Sequence, residues 1–580
     1  MHDHHRQGFL YGTLVLAAGT VAVKLIGALF KIPLTNLLGG VGMSYFNVAY
    51  DLYYPLYALF VSGVPVAVSK LVSESMARGR ARDARRLLRV SAAVFLSVGL
   101  LGSLIMLAGA GWFTGVVNNP DARYAVWMLA PALFFGCVMA ALRGYWQGMQ
   151  NMVPTAISQI VEAVAKLAFG LCFCTVTIRA GLGEYARLGT VFGAAYGSAE
   201  EAGLAVLPYG AAAAILGVTA STLCGATYML ARHKLGRAAI SPDQWRQSPP
   251  AAPARTLARR LLAIALPVCV ASLIANLTSF IDLISVMNRL ETAISGAPEV
   301  VLGMYAGAIP PGVGLDRLAS YLYGCYSGLA VPIFNLVPSL TATVGVSLLP
   351  TVSAAWATRN APLLERNVGS ALRLSSLLAM PAGAGICALA EPIMRLLFFA
   401  KPMEVTVIAP ALRLMGVSAV FLALTMPVNA VLQATGNAAL PVRLLLLGGG
   451  MKLALNFTLV AIPELNIQAA PVGTLACYAF VLLAGLYWMV KSTNLQLPAG
   501  RVFGRPLFAA ICCGASAWAA NGLLERVCGG RLAVLGAIGA GALVYLAVVL
   551  LTRTITKADV LMLPGGEKFA KLLEKHSLLG

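Results

Sequence analysis

Long apolar segments, separated by short polar or Pro/Gly-rich breaks, recur along the whole chain. A helix that crosses a bilayer needs about 20 predominantly apolar residues. About fourteen segments meet this length, and we expect each to form a membrane-spanning helix. They lie near residues 9–38, 45–69, 90–112, 123–148, 154–177, 207–231, 261–287, 321–350, 368–390, 404–433, 440–462, 468–490, 506–525 and 532–552.

The composition excludes a water-soluble enzyme. Hydrophobic residues make up 59% of the 580 residues and charged residues only 11%, whereas a soluble domain carries about 25% charged residues. The abundance of apolar side chains also excludes a disordered chain. The chain is therefore predicted to be an all-α integral membrane protein.

Basic residues concentrate in a few of the loops between the spans. The chain holds 42 Lys and Arg against 22 Asp and Glu, and the loops 70–89 and 232–260 hold seven Lys or Arg each. Because such residues collect on the cytoplasmic side, we expect both termini to be cytoplasmic. We also expect these loops to contact anionic lipids rather than nucleic acid.

Two stretches of the chain match at an offset near 286 residues. QGMQNMVP runs from Gln147 and is followed by Lys166, and QATGNAALP runs from Gln433 and is followed by Lys452. Glutamine and lysine are 19 residues apart in both stretches. The match predicts two pseudo-symmetric six-helix lobes that rock around a central site, plus two C-terminal helices.

A Pro-rich, basic segment, SPDQWRQSPPAAPAR, separates the two predicted lobes. The predicted organisation is an N-terminal lobe at 1–232, a basic cytoplasmic linker at 233–260, a C-terminal lobe at 261–491, two further helices at 492–553 and a cytoplasmic amphipathic tail at 554–580.

Charged residues within the predicted spans are the strongest functional signal. Each costs about 2.5 to 3.5 kcal/mol at the bilayer centre, so they must pair, extend to the membrane surface or line a hydrated cavity. They are Lys24, Lys31, Asp51, Arg143, Glu162, Lys166, Asp282, Arg413 and Lys452.

Helix geometry suggests how the charges of the first spans are arranged. Lys24 and Lys31 are seven residues apart, so both project from one face of their helix. Lys31 and Asp51 lie at similar predicted depth and are a possible ion pair. Glu162 has two possible partners, Lys166 one turn later on the same helix and Arg143 on the preceding one.

The remaining charges are open to two interpretations. Asp282 and Arg289 are seven residues apart on one helix face. For Arg143, Arg289 and Arg413, a structural ion pair or extension to the membrane surface is as consistent with the sequence as a cavity role.

Lysines at mid-depth favour a cavity that binds an anion. Lys24, Lys166 and Lys452 lie too far from the span ends to reach the surface easily, and the spans hold more positive than negative charge.

No histidine lies in a predicted span and no catalytic motif is recognisable, so we expect a transporter with no enzymatic activity, metal or cofactor. A cation-coupled drug exporter would need a carboxylate-dominated cavity, and a non-transporting scaffold for cell-wall synthesis would need no buried charge.

Several segments resemble the stage V sporulation protein B and MurJ-like group of polysaccharide exporters, within the superfamily of multidrug and oligosaccharidyl-lipid exporters. They include VKLIGALFKIPLTNLLGGVGMSYFNVAY, LRGYWQGMQNMVPTAISQIVE, FIDLISVMNRL and LMLPGGEKFAKLLEK. The resemblance implies a fourteen-helix fold in the plasma membrane. It also implies outward flipping of an undecaprenyl-pyrophosphate-linked cell-wall precursor by alternating access, with another polysaccharide or a sporulation-specific precursor as the alternative. Cell-wall synthesis proteins are further partners that it suggests.

The resemblance also assigns roles to the buried charges. Lys24 and Lys31 stand where the family places cationic residues that face the cavity. Asp51 departs from the family pattern, which has an uncharged residue there. We expect the lipid pyrophosphate to be bound by Lys24, Lys31, Arg143, Lys166, Arg289 and Lys452, and ion pairing or coupling to involve Asp51, Glu162 and Asp282.

Overall fold

The computed structural model describes residues 9–235 and 240–554, and these are almost entirely helical. The predicted all-α membrane fold is confirmed. Apart from Thr554, the predicted amphipathic tail at 554–580 lies outside the described residues.

Nineteen α-helices occur in the described ranges, together with one short hairpin of strands. The helices are α1 (Phe9–Phe60), α2 (Gly63–Ala77), α3 (Ala81–Val116), α4 (Arg123–Gly148), α5 (Val153–Leu188), α6 (Ala199–Ala205), α7 (Leu207–Leu235), α8 (Pro242–Gln247), α9 (Ala254–Gly296), α10 (Pro298–Met304), α11 (Leu315–Cys325), α12 (Val331–Ala357), α13 (Ala361–Ala388), α14 (Ala390–Leu397), α15 (Pro402–Ala434), α16 (Ala439–Leu459), α17 (Ala470–Thr493), α18 (Arg505–Cys528) and α19 (Gly530–Leu551). The strands are β1 (Thr190–Val191) and β2 (Ala194–Ala195), which pair antiparallel.

Thirteen helical segments in the described part of the chain are long and apolar enough to cross a membrane. The first of them, Ala22–Ala77, contains most of the first predicted span and all of the second. The predicted number of about fourteen spans stays a prediction, because this segment covers parts of two predicted spans.

Helix α1 folds back on itself at Gly39. This glycine has φ 63° and ψ −169°, a conformation outside the helical region that residues with a Cβ rarely adopt. In a straight helix, residues 31 and 47 would be about 24 Å apart, yet their side chains form a hydrogen bond of 2.6 Å. The part of α1 after Gly39 therefore packs antiparallel to the part before it.

The chain forms two compact units. One consists of residues 1–288 and 311–324, and the other of residues 289–310 and 325–580. Helix α9 contributes to both, since residues 254–288 belong to the first unit and its last residues to the second. The lobe limits predicted from the sequence stay predictions.

In the first unit, small residues bring helices into close contact. A side chain on Gly217 of α7 would meet the backbone of Gly170 on α5, which is the small-residue packing common between membrane helices. The β1–β2 hairpin follows α5, and the Glu184 carboxylate accepts hydrogen bonds from Thr190 Oγ1 at 2.7 Å and from the Gly193 amide at 2.9 Å.

The second unit is held by the same kind of contact. Gly383 of α13 faces Gly416 of α15, and a Cβ on either would meet the backbone of the other. A core of aliphatic side chains from α12, α13, α15 and α17 surrounds this contact. At the end of the chain, Gly541 of α19 lies against Ala517 and the Cys513 carbonyl of α18.

The internal repeat corresponds to one helix–turn–helix in each unit. Helix α4 ends at Gly148 and α5 begins at Val153, whereas α15 ends at Ala434 and α16 begins at Ala439. The lysine of each repeat stands thirteen residues after the first residue of its second helix. The sequence match therefore reflects a shared local structure.

We predict that Gly324→Ala destabilises the first unit. Gly324 of α11 packs on the turn of α1, where an added Cβ would collide with the Gly40 carbonyl oxygen and approach the Ser44 amide. Overpacking against backbone costs about 1 to 3 kcal/mol, so the thermal unfolding midpoint of the detergent-solubilised protein should fall. Gly27→Ala is the matched control, because nothing lies within 4 Å of its added Cβ. Equal midpoints for the two variants would contradict the packing described here.

Candidate functional site

Lys31 lies half-buried in the first unit and is held by an amide. Its Nζ donates a hydrogen bond of 2.6 Å to Asn47 Oδ1 and lies 5.2 Å from the centroid of the Phe46 ring. Both partners come from the second half of α1. The structure thus places Lys31 against an amide and a ring face rather than in the ion pair with Asp51 that the sequence allowed.

Lys166 approaches the same part of α1 from helix α5. Its Nζ lies 5.0 Å from the centroids of both the Phe30 and the Tyr50 rings, and the side chain is half-buried. A cation over a ring face is attracted by the ring quadrupole. One turn further along α5, Gly170 lies so close to the Phe30 ring that a Cβ would collide with it, and this contact fixes the position of α5.

Aromatic side chains connect the two lysines. The Phe46 ring centroid is 6.1 Å from that of Phe30 and 5.0 Å from that of Tyr50, and Tyr54 follows at 5.3 Å from Tyr50. Phe46, Tyr50 and Tyr54 are four residues apart in succession, so they lie on one helix face. Tyr54 keeps 45% of its surface accessible. We call Phe30, Phe46, Tyr50 and Tyr54 the aromatic surface.

Asp51 is hydrogen-bonded to a tyrosine. The Tyr323 hydroxyl of α11 donates to Asp51 Oδ2 at 2.7 Å, and Asp51 is half-buried. Hydrogen bonding offsets part of the cost of placing a carboxylate among apolar helices. This contact joins α11 to α1 within the first unit.

Arg143 and Glu162 form an ion pair between α4 and α5. Arg143 Nη2 lies 3.0 Å from Glu162 Oε2, and the two side chains are 12% and 29% exposed. Arg143 Nε also donates to Ser158 Oγ at 2.8 Å. Of the two partners that the sequence left open for Glu162, the structure shows Arg143, whereas Lys166 contacts the aromatic surface.

Lys24 and Asp282 are the other predicted site residues of the first unit. Lys24 is exposed on α1, two helical turns before Lys31, and Asp282 is half-buried on α9. Their roles in binding and coupling stay predictions.

Two predicted cations of the second unit are associated with helix α16. Lys452 belongs to this helix, and Arg289 contacts one of its rings. Lys452 is only 3% exposed, and α17 approaches it through Gly473, whose Cβ would lie near the Lys452 carbonyl oxygen. The Arg289 guanidinium carbon lies 3.1 Å from the centroid of the Phe457 ring. Arg413, which the sequence left open between pairing and a cavity role, is exposed on α15.

The sequence analysis missed three residues of the site, namely Asn47, Tyr50 and Tyr323. Asn47 and Tyr50 belong to the stretch SYFNVAYDLYYPLY, where an amide and aromatic residues recur at helical spacing. That pattern was a usable signal. Tyr323 lies 272 residues from Asp51, and nothing in the local sequence indicates this contact.

The described residues contain no group of three or more His, Cys, Asp and Glu side chains that could hold a metal ion. What the first unit offers instead is two ammonium groups on the aromatic surface, of which that of Lys31 is held by the Asn47 amide. This arrangement suits a phosphate-bearing ligand, since lysine binds phosphate as a compact point charge.

Two family models match separate parts of the chain. Residues 9–200 match a family model described as polysaccharide biosynthesis protein, and residues 326–564 match one described as lipid II flippase MurJ. The chain is 24% identical to stage V sporulation protein B of Bacillus subtilis over 96% of this chain and 98% of that protein. The chain is thus similar over nearly its whole length to stage V sporulation protein B, and over its second half to the MurJ family model.

Two further comparisons support this relationship. The chain is 25% identical to the lipid II flippase MurJ of Bacillus subtilis over 85% of this chain and 87% of that protein. A solved structure of lipid II flippase MurJ in an inward closed conformation superposes with a TM-score of 0.63 at 12% identity, over 93% of this chain and 98% of that one. The fold is thus that of MurJ, a multi-pass membrane protein, and the proteins that the chain resembles are transporters and not enzymes.

We predict that Arg143→Met destabilises the protein through its half-buried ion pair. Removing one partner leaves the Glu162 carboxylate without its cation, and leaving such a polar group without its partner costs about 1 to 3 kcal/mol. The free energy of unfolding, measured by denaturant titration in detergent, should fall by about that amount. The double variant Arg143→Met/Glu162→Leu should recover most of the loss. If the single variant is as stable as the original protein, the pair contributes nothing to folding.

Proposed function

We propose that this protein flips a polyprenyl-pyrophosphate-linked cell-wall precursor from the inner to the outer leaflet of the plasma membrane. The observation that carries the proposal is the pair of half-buried lysines, Lys31 and Lys166, on the aromatic surface. Related proteins named lipid II flippase and stage V sporulation protein B support it. A lipid II-like molecule is the substrate that we favour.

The chemistry of the two lysines fits a pyrophosphate. Moving this anion out of water is costly unless cations and hydrogen bonds replace the lost hydration. Lys31 and Lys166 supply two positive charges, and Asn47 orients the first of them. Tyr54, the exposed ring of the aromatic surface, offers a flat apolar face to the adjacent sugar or lipid groups. The headgroup can thus be bound while the polyprenyl tail stays in the membrane.

The other predicted site residues have secondary roles in this proposal. Lys24, exposed two turns before Lys31, is placed to attract the anion before it reaches the aromatic surface. We propose that Arg143, Arg289 and Lys452 contribute further positive charge.

The acidic side chains are proposed to couple binding to alternating access. Glu162 is paired with Arg143 and Asp51 with Tyr323, so rearrangement of either contact would change the charge that the ligand meets. We propose the same kind of role for Asp282. With both termini cytoplasmic, the membrane potential would favour outward movement of an anion by about 2.3 kcal/mol per charge per 100 mV.

A second candidate substrate is another polysaccharide precursor or one made during sporulation. The relationship to stage V sporulation protein B, which spans 96% of this chain, favours this alternative. The lysines and the aromatic surface would serve it equally, because both candidates share the pyrophosphate.

We predict that Lys31→Gln and Lys166→Gln each reduce translocation. A charge-assisted contact contributes about 1.5 to 3 kcal/mol. The translocation rate of each variant should therefore be lower by a factor of about ten or more. The measurement uses full-length protein in liposomes that carry lipid II in one leaflet, with a probe that reacts only with lipid exposed outside. Parallel liposomes with other pyrophosphate-linked saccharides identify the preferred substrate.

Lys70→Gln is the matched control, because Lys70 is an exposed lysine on α2 of the same unit. It should translocate at the original rate, and all variants should unfold at similar temperatures. The proposal fails if both lysine variants insert normally and still flip pyrophosphate-linked lipids at the original rate.

A further inference from the structure

A second cationic site lies on the first unit, at the start of α3. An open cavity of about 470 Å³ occurs where the linker that follows α7 crosses this helix. The lining residues are Arg82, Arg86, Arg89, Val90, Ala93, Trp245 and Ala251. None of them is acidic, and none belongs to the aromatic surface.

Hydrogen bonds fix the linker over α3. The Arg82 amide donates to Ser248 Oγ at 3.0 Å, and the Ala252 amide donates to Asp83 Oδ1 at 2.7 Å. Arg86 Nη1 donates to the Ala251 carbonyl at 3.4 Å. The cavity is therefore a formed site, because its two walls are joined by contacts from both side chains and backbone.

Trp245 positions the guanidinium groups on one side of the cavity. Its ring lies 5.6 Å from the Arg82 Cζ and 5.2 Å from the Arg85 Cζ. Helix α8, which carries Trp245, is held by a capping box between Ser241 and Gln244. Tryptophan is enriched at membrane–water interfaces, where its ring sits at headgroup level.

The positive charge of the cavity has no acidic partner within it. Arg82, Arg86 and Arg89 follow each other by four and three residues, so they lie on one face of α3. The nearby carboxylate, Asp83, is occupied by Arg80 at 2.7 Å and by the linker amide. The Arg82 Nε is buried and has no hydrogen-bond acceptor among the described residues. An oxygen of a bound anion would satisfy this donor.

The same helix face continues as an apolar surface. Val90 and Ala93 follow Arg86 at helical spacing and line the cavity beyond the arginines. Both lie in the helix α3, which is long and apolar enough to span the membrane. A ligand that contacts both the arginines and the adjoining apolar surface carries an anionic group at one end and hydrocarbon at the other.

We propose that this cavity binds the phosphate of an anionic membrane phospholipid, with an acyl chain along Val90 and Ala93. Guanidinium groups recognise phosphate oxygens by paired hydrogen bonds. Occupation would add a lipid bridge between α3 and the linker. The site is separate from the lysines on the aromatic surface and does not depend on what the protein transports.

The test measures phospholipid binding by native mass spectrometry of the full-length protein released from a neutral detergent. Phosphatidylglycerol should bind as a discrete adduct and phosphatidylcholine should bind more weakly. Each arginine near the membrane surface contributes about a fivefold gain in affinity. The variant Arg82→Gln/Arg86→Gln/Arg89→Gln should therefore raise the Kd for phosphatidylglycerol about a hundredfold, and Arg89→Gln alone about fivefold.

The matched control is Arg246→Gln/Arg255→Gln/Arg259→Gln, which removes the same charge from exposed positions outside the cavity lining. It should keep nearly the original affinity. Equal losses in the two triple variants would overturn the site in favour of diffuse attraction. Arg89→Gln keeps the test valid if the cavity triple variant fails to fold, because Arg89 is exposed and its side chain is in none of the hydrogen bonds that hold the linker.

Soluble glycerol phosphate distinguishes a lipid from a free phosphate ester. We expect it to compete with phosphatidylglycerol only weakly, because it lacks the hydrocarbon that the Val90 and Ala93 surface would contact. Competition at equal concentration would show that the arginines bind a soluble phosphate and would overturn the lipid assignment.

Discussion

The structure of the first unit depends on how it accommodates ammonium groups among membrane-spanning helices. An isolated lysine at mid-depth costs about 2.5 to 3.5 kcal/mol on insertion scales. Lys31 reduces this cost through the Asn47 amide and the face of Phe46, and Lys166 through two ring faces. Neither forms an ion pair with a carboxylate among the described contacts, so each depends on an amide or on ring faces.

The fold of α1 makes these contacts possible. Its reversal at Gly39 places Phe46 and Asn47 beside Phe30 and Lys31. Helix α11 packs on the same turn through Gly324. Tyr323, the residue before that glycine, reaches Asp51. The glycines that let the backbones approach and the polar residues that form the site are therefore neighbours in the chain, and a change in one is expected to disturb the other.

The sequence predicted the membrane fold and the charged residues, because long apolar runs and charges within them follow directly from the cost of solvation in a bilayer. It predicted their contacts less well. The sequence allows two partners for Glu162, Lys166 and Arg143, and only the packing of α4 on α5 distinguishes them. Depth alone makes Asp51 a possible partner of Lys31, whereas the structure shows a hydrogen bond from Lys31 to the Asn47 amide on the returning helix. Depth along a helix can be read from sequence, but rotation about its axis depends on tertiary packing.

The internal repeat also predicts where a lysine stands on its helix but not what surrounds it. Lys166 and Lys452 occupy equivalent positions in two similar helix–turn–helix segments. Lys166 is half-buried on the aromatic surface, while Lys452 is 3% exposed on a helix that α17 approaches through Gly473. The rings that Lys166 contacts belong to α1 and lie outside the repeated motif. A duplicated motif can therefore preserve a helix–turn–helix and its lysine, while the residues around each copy determine whether that lysine is accessible to a ligand.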